Sequence, residues 1–260
     1  MCAALWAGSA LAVEQVYPEP TERTFPTLSS LDGAVLAEGE EVEEVFGDRV
    51  EVRARYHFID GREVEESVRL RQVPELAQES WDWKESVPGG AVSREFHVDF
   101  LSGNATAFKQ ARRWSERLRV IPGQTFGGPG FVLALRNLQP RLDRGEVVKL
   151  LAVAFTPAPR LVNVSLRGRG AEQLRSGGRT WTADHFTLHP DLSFWVGLVA
   201  QVSDFEFYFS TERPPDLLRA EISLLEPGDP RVRADTFGVE ARGRPRLRSG
   251  RTAAGSPSAR

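Results

Sequence analysis

Between Arg49 and Phe58 the sequence alternates without a break: Val50, Val52, Ala54, Tyr56 and Phe58 are separated by Glu51, Arg53, Arg55 and His57. Successive side chains of a strand point to opposite faces, so this period of two predicts a half-buried β-strand with one apolar and one charged face. Asp60-Gly61 follows, a dipeptide suited to a two-residue hairpin turn. The return strand, 63–73, places Val64, Val68 and Leu70 on one face. A half-buried hairpin has to cover its apolar side, which commits the chain to a larger sheet.

The same grammar repeats downstream. Segments 79–85 and 93–101 flank Pro88-Gly89-Gly90, with Phe96, Val98 and Phe100 as an apolar row, and Ser102-Gly103-Asn104 turns the chain into 105–110. Segment 113–121 reads as a strand closed by Pro122-Gly123. Further strands are expected at 146–155, 161–166, 172–175 paired with 179–188 around Ser176-Gly177-Gly178, at the alternating Phe205, Phe207 and Phe209, and finally at Leu218, Ala220, Ile222 and Leu224. Two short helices are expected. One starts at Pro129, puts Phe131, Val132, Leu135 and Leu138 on one face and ends before Pro140; the other covers 190–201. The fold class is therefore mainly β: a large curved antiparallel meander sheet of about ten strands, half-barrel or barrel-like because so many strands do not stay flat, with one or two short helices.

Residues 1–12 are apolar or small and end in Ala10-Leu11-Ala12, a small-x-small pattern like that cut by signal peptidases. They read as the remnant of a secretory signal, so the expected location is periplasmic or secreted, in a bacterium. Cys2 is the only cysteine and falls in this segment; a lipoprotein role for it is the minor alternative, because the apolar run continues after it. Residues 13–33, rich in Pro, Ser, Thr and Glu, read as a flexible arm; 34–240 as a single β domain; and 241–260, with six arginines and no apolar periodicity, as a disordered tail. The acidic stretch 38–44 reads as a solvated edge. A net charge of −3 gives no global field for nucleic acid. Of 33 basic residues only three are lysine, a compositional bias in keeping with a GC-rich bacterial genome. The tail's arginines suit peripheral contact with anionic membrane surfaces. The chain is expected to be a monomer.

No motif here commits the chain to catalysis. His185 and His189 have the spacing of helical zinc ligands, but their surroundings read as a strand, where i and i+4 lie about 13 Å apart. His97 and Asp99 share a strand face without a G-x-S-x-G nucleophile, which leaves hydrolase chemistry as a distant alternative. Gly127-Gly128-Pro129-Gly130 before a helix could cradle an anion, although a tight turn explains it more simply. Trp81-Asp82-Trp83 points two indoles to one side of a strand, as core or pocket lining or, alternatively, as a carbohydrate-binding platform.

The order of features from DFLSGNATA (99–107) through IPGQTFGGPGF, LDRGEVVKLLAVAFTPAPRLVNVSL, the GGRTW hairpin and FTLHPDL to FYFSTERPPDLLRAEI (207–222) resembles exported bacterial proteins of a domain-of-unknown-function family. The resemblance implies a curved antiparallel half-barrel similar to that of periplasmic lipoprotein carriers, and a lipid or other apolar envelope ligand on the concave face. It brings no catalytic residue and no cofactor. The lining expected for such a ligand is Trp81, Trp83, Phe96, Phe100, Trp114, Phe131, Phe205 and Phe207.

Overall fold

The computed structural model describes residues 12–176, 179–191, 203–226 and 229–236. The expected signal remnant (except Ala12), the helix expected at 190–201 (beyond Asp191) and the Arg-rich tail lie outside the described residues. The first strands are β1 (Glu22–Thr24), β2 (Thr27–Ser30), β3 (Val35–Phe46), β4 (Arg49–Phe58), β5 (Glu63–Arg71), β6 (Ala77–Ser86), β7 (Val92–Asp99), β8 (Asn104–Lys109), β9 (Arg112–Arg117) and β10 (Thr125–Phe126). One helix among the described residues, α1 (Pro129–Leu142), follows. The second half holds β11 (Val148–Phe155), β12 (Pro159–Ser176), β13 (Arg179–Pro190), β14 (Phe205–Ser210), β15 (Leu217–Ser223) and β16 (Arg231–Asp235).

All 16 strands belong to one sheet. Two meanders, β2 to β9 and β11 to β16, are joined where β16 pairs with β2, and β1 pairs with β3. Every pairing is antiparallel except that of β10 with β11. The sheet is open, with β9 at one end and β10 at the other. It curls until its two halves face each other: Phe96 on β7 and Trp81 on β6 reach Phe155 on β11, with ring centroids 4.2 and 5.4 Å apart. The expected curved, mainly β fold is what the chain adopts.

The local reasons match the sequence pattern. Val50, Val52, Ala54 and Phe58 of β4 are buried and the charged residues between them face out. The Asp60-Gly61 turn carries Gly61 at φ 83°, a backbone region where glycine has no steric cost. Each large ring buried from the inner face contributes on the order of 2–3 kcal/mol. A charged cluster adds a fastener. Arg94 of β7, stacked over Trp83, lies 2.8 Å from both Glu85 and Asp229 and so ties the β15–β16 connection to β6 and β7.

Several expectations are corrected. Residues 13–33 are not a flexible arm. Val13 is fully buried and bonded through its backbone to Gly123 and Leu76, and β1 and β2 are integral to the sheet. These strands are short and rich in polar residues, so they show no readable alternation. The strand expected at 113–121 stops at Arg117. The strand at 217–223 is not the last, because β16 follows it. The helix runs past Pro140 to Leu142. Proline there only removes the bond to the Arg136 carbonyl in the last turn. Acidic residues 38–44 are not a solvated edge but lie within β3, paired with β4 throughout and, on the other side, with β2 at Glu38 and β1 at Glu41 and Glu43.

Helix α1 plugs the concave side. Phe131, Leu133, Ala134, Leu135, Leu138 and Leu142 are buried, and so are Arg136, Asn137 and Gln139, so most of its circumference is covered. Its polar groups hold the N-terminal segment: Asn137 Oδ1 accepts the backbone N–H groups of Val16 and Tyr17 at 2.7 and 2.8 Å, and Arg136 pairs with Glu19.

Candidate functional site

Strand register builds the site. Reading across the sheet, Thr24, Glu41, Ala54, Glu66, Trp83 and Phe96 form one row and Glu22, Glu43, Val52, Val68 and Trp81 the next. The rows that carry the apolar core in β4, β6 and β7 therefore carry carboxylates in β1, β3 and β5. Glu66 interrupts the apolar face of β5, at the position between Val64 and Val68. Sequence reading passed over it, although a carboxylate at an i+2 position of an apolar row was a visible signal. Glu41 and Glu43 were hidden by the density of acidic residues around them.

These rows face a cavity of about 580 Å³ between the two halves of the sheet. Its apolar wall includes Trp81, Phe131, Val132, Phe205, Phe207 and Leu217. Its polar wall includes Glu22, Glu41, Glu43, Glu66, Asp216 and Arg136. Burial, with Glu22 nearby, pushes the Glu41 carboxyl up to about 7. Burial, reinforced by Glu41, Glu22 and Asp216, pushes Glu43 up to about 8. Burial also carries Glu66 to about 8, although the Trp81 indole N–H donates to it at 2.7 Å and opposes the rise. On the same wall burial, with Glu41 and Glu66 nearby, holds the Tyr56 phenol well above its usual range.

Of the expected lining residues, Trp81, Phe131, Phe205 and Phe207 border this cavity. Trp83, Phe96, Phe100 and Trp114 do not. Trp83 packs on Phe96, Phe96 on Phe155, Phe100 is buried in the core, and Trp114 on the edge strand packs against that core from a half-buried position. Phe96 of β7 closes directly on Phe155 of β11, and β8 and β9 approach β12, so Trp83, Phe96 and Phe100 fill solid interior there.

Gly127-Gly128 is a seat for the Trp81 ring. A Cβ at Gly127 would lie 2.4 Å from Trp81 Cε3, and one at Gly128 2.6 Å from Trp81 Nε1, where φ is also +52°. Three of the amides that could have cradled an anion are engaged: Gly127 N–H donates to Gln78 Oε1 at 2.9 Å, and Gly130 and Phe131 donate to the carbonyls of Gly127 and Gly128. Gly127→Ala is expected to lower stability by about 1–3 kcal/mol in urea unfolding, because a buried indole has nowhere to retreat. A change near zero would mean that the ring does not rest on this backbone.

The other candidate chemistries are dispersed. Trp81 and Trp83 are buried, at 5% and 3% exposure, so they form no exposed sugar platform. His97 Nδ1 lies 2.7 Å from Asp82, whereas Asp99 accepts from Ser102 Oγ at 2.6 Å within its own turn. His185 is held between Glu206 at 2.6 Å and Glu172 at 3.1 Å and stacks on Tyr208, and His189 pairs with Asp204 at 2.6 Å. Among the described residues no three His, Cys, Asp or Glu side chains are arranged to hold a metal ion, and no helix is long and apolar enough to cross a membrane.

No protein-family model matches the chain, and no curated protein matches it by sequence. Among solved structures it is similar to a β-barrel-like protein of a domain of unknown function, DUF1849, from Brucella abortus, at 8% identity and a TM-score of 0.49, over 83% of this chain and 95% of that one.

Proposed function

We propose that this protein is a non-enzymatic binding protein of the bacterial envelope that holds an amphiphile with an apolar tail between the two halves of its sheet. The cavity carries this reading. A core that serves only itself packs with few voids larger than a water molecule. Here about 580 Å³ remains open, bounded by Trp81, Phe131, Phe205 and Phe207. That volume falls in the range of about 300–1,000 Å³ usual for small-molecule sites.

The test is native mass spectrometry of the full chain from a bacterial periplasm, before and after organic extraction. The expected result is a stoichiometric adduct that extraction removes. Ala234→Trp, which places an indole in the cavity from β16, is expected to abolish the adduct and leave the circular dichroism spectrum unchanged. A wild-type protein that is ligand-free in every preparation and binds no alkyl-chain probe would overturn the proposal.

A further inference from the structure

We infer that the polar end of the ligand is a cation: the cavity fits the protonated amine head of a single-chain amphiphile. The inference rests on the binding reading above and adds the chemistry of the head group. Six carboxylates border the cavity among the described residues, Glu22, Glu41, Glu43, Glu66, Glu212 and Asp216, against the single guanidinium of Arg136. That guanidinium already pairs through Nη1 with Glu19, whose side chain is wholly buried. An anionic head group would meet a wall of carboxyl groups, and the one cation facing it is already paired with Glu19.

A second observation makes this more than an acidic surface. Glu43 is only 8% exposed, faces the cavity, and its Oε2 has no hydrogen-bond partner; Arg136 Nη1 lies 3.9 Å away, beyond hydrogen-bond reach. An unsatisfied buried carboxyl oxygen is costly, and once the group gives up its proton an ammonium donor satisfies both its charge and its hydrogen-bonding capacity. The apolar wall borders the same cavity, so a head held at the acidic wall, at Glu43, leaves a tail free to run along Trp81, Phe131, Phe205 and Phe207.

The titrating or charged groups facing the head position are Glu22 from β1, Glu41 and Glu43 from β3, Tyr56 from β4, Glu66 from β5, Arg136 from α1, and Glu212 and Asp216 from the β14–β15 connection. Carboxyls that keep their protons to about pH 7 or 8 must release them to hold an ammonium, so amine binding expels protons and tightens as pH rises across that range.

The experiment is calorimetric titration of the full chain with decylamine, decanol and decanoate, which share a tail and differ in head charge. Decylamine is expected to bind about tenfold more tightly than decanol, and decanoate more weakly than both. Glu66→Gln and Glu43→Gln, each tested singly, are expected to erode the amine preference, read as the ratio of decylamine to decanol affinity in the same variant. Wild-type affinity for decylamine should rise between roughly pH 6 and pH 8 while that for decanol stays flat. Equal affinity for the three ligands would overturn the cation inference and leave the binding reading standing. Tightest binding of decanoate would overturn it too, and would assign the head group to Arg136, whose Nε has no hydrogen-bond partner. Binding of none of the three would overturn both readings. The ligand series uses the wild-type protein, so the test survives a variant that fails to fold.

Discussion

Ligand-free protein is expected to lose stability as pH rises from about 5 to about 9, the reverse of ordinary acid denaturation. In the unfolded chain a glutamate carboxyl ionises near 4.3. In the folded protein Glu41 keeps its proton to about 7, and Glu43 and Glu66 keep theirs to about 8. Between those values the folded state binds more protons than the unfolded one, so stability is fully present below the unfolded pKa and is lost as pH rises through the folded values. Each unit is worth about 1.4 kcal/mol, so the mostly buried Glu43 alone contributes a loss on the order of 3–5 kcal/mol. For a domain of this size that corresponds to a fall in Tm of roughly 5–15 °C. Glu43→Gln, which resembles the protonated form, is expected to flatten the profile by gaining stability at pH 9 and changing little at pH 5. Carboxylates held low, such as Glu65 and Asp99, titrate below this window and do not disturb it. A Tm that rises steadily across the same interval would rule out the buried acidic row.

Arg136→Met is expected to be among the most damaging single substitutions. Arg136 and Glu19 are both buried and paired, and Glu19 belongs to the segment that Asn137 also clamps to α1. Removing the guanidinium strands a carboxylate whose side chain has no access to water. Breaking a buried pair from one side costs about 3–5 kcal/mol, whereas replacing both partners with neutral groups of similar size is often close to neutral. The double variant Glu19→Gln with Arg136→Met is therefore expected to recover most of the loss. Urea unfolding of the four proteins measures both terms. A single-variant loss under about 1 kcal/mol would show that the pair is not buried in solution. Hydrogen exchange should locate the damage first at Val16 and Tyr17, whose backbone N–H groups donate to Asn137 of α1.

The two halves of the site differed in how readable they were. The apolar wall was partly legible, because Trp81, Phe131, Phe205 and Phe207 belong to patterns whose inward face is set by a period of two or of 3.6. Trp83, Phe96, Phe100 and Trp114 obey the same patterns yet fill solid core. Alternation says which way a side chain points and nothing about how far away the opposite wall is. The acidic wall was harder still. In β3, Glu38, Glu40, Glu41, Glu43 and Glu44 occupy both faces, so no period survives to separate inward from outward.

What the sequence by itself determined is local. It determined the existence and direction of β4 through β8, the turn at Asp60-Gly61, the start of α1 at Pro129 and the mainly β class, because these follow from side-chain alternation, φ preferences and the chemistry of turns. Only the tertiary structure decided that the chain's first strands complete the sheet beside its last one, that the sheet curls shut over β6–β9 but stays apart over β14–β16, and that the carboxylates of β1, β3 and β5 meet in that gap. Those outcomes depend on contacts between residues far apart in the chain, such as Val232 with Ser30 and Phe96 with Phe155. A non-local pairing is chosen by the total burial and register of the whole sheet, which no single segment encodes.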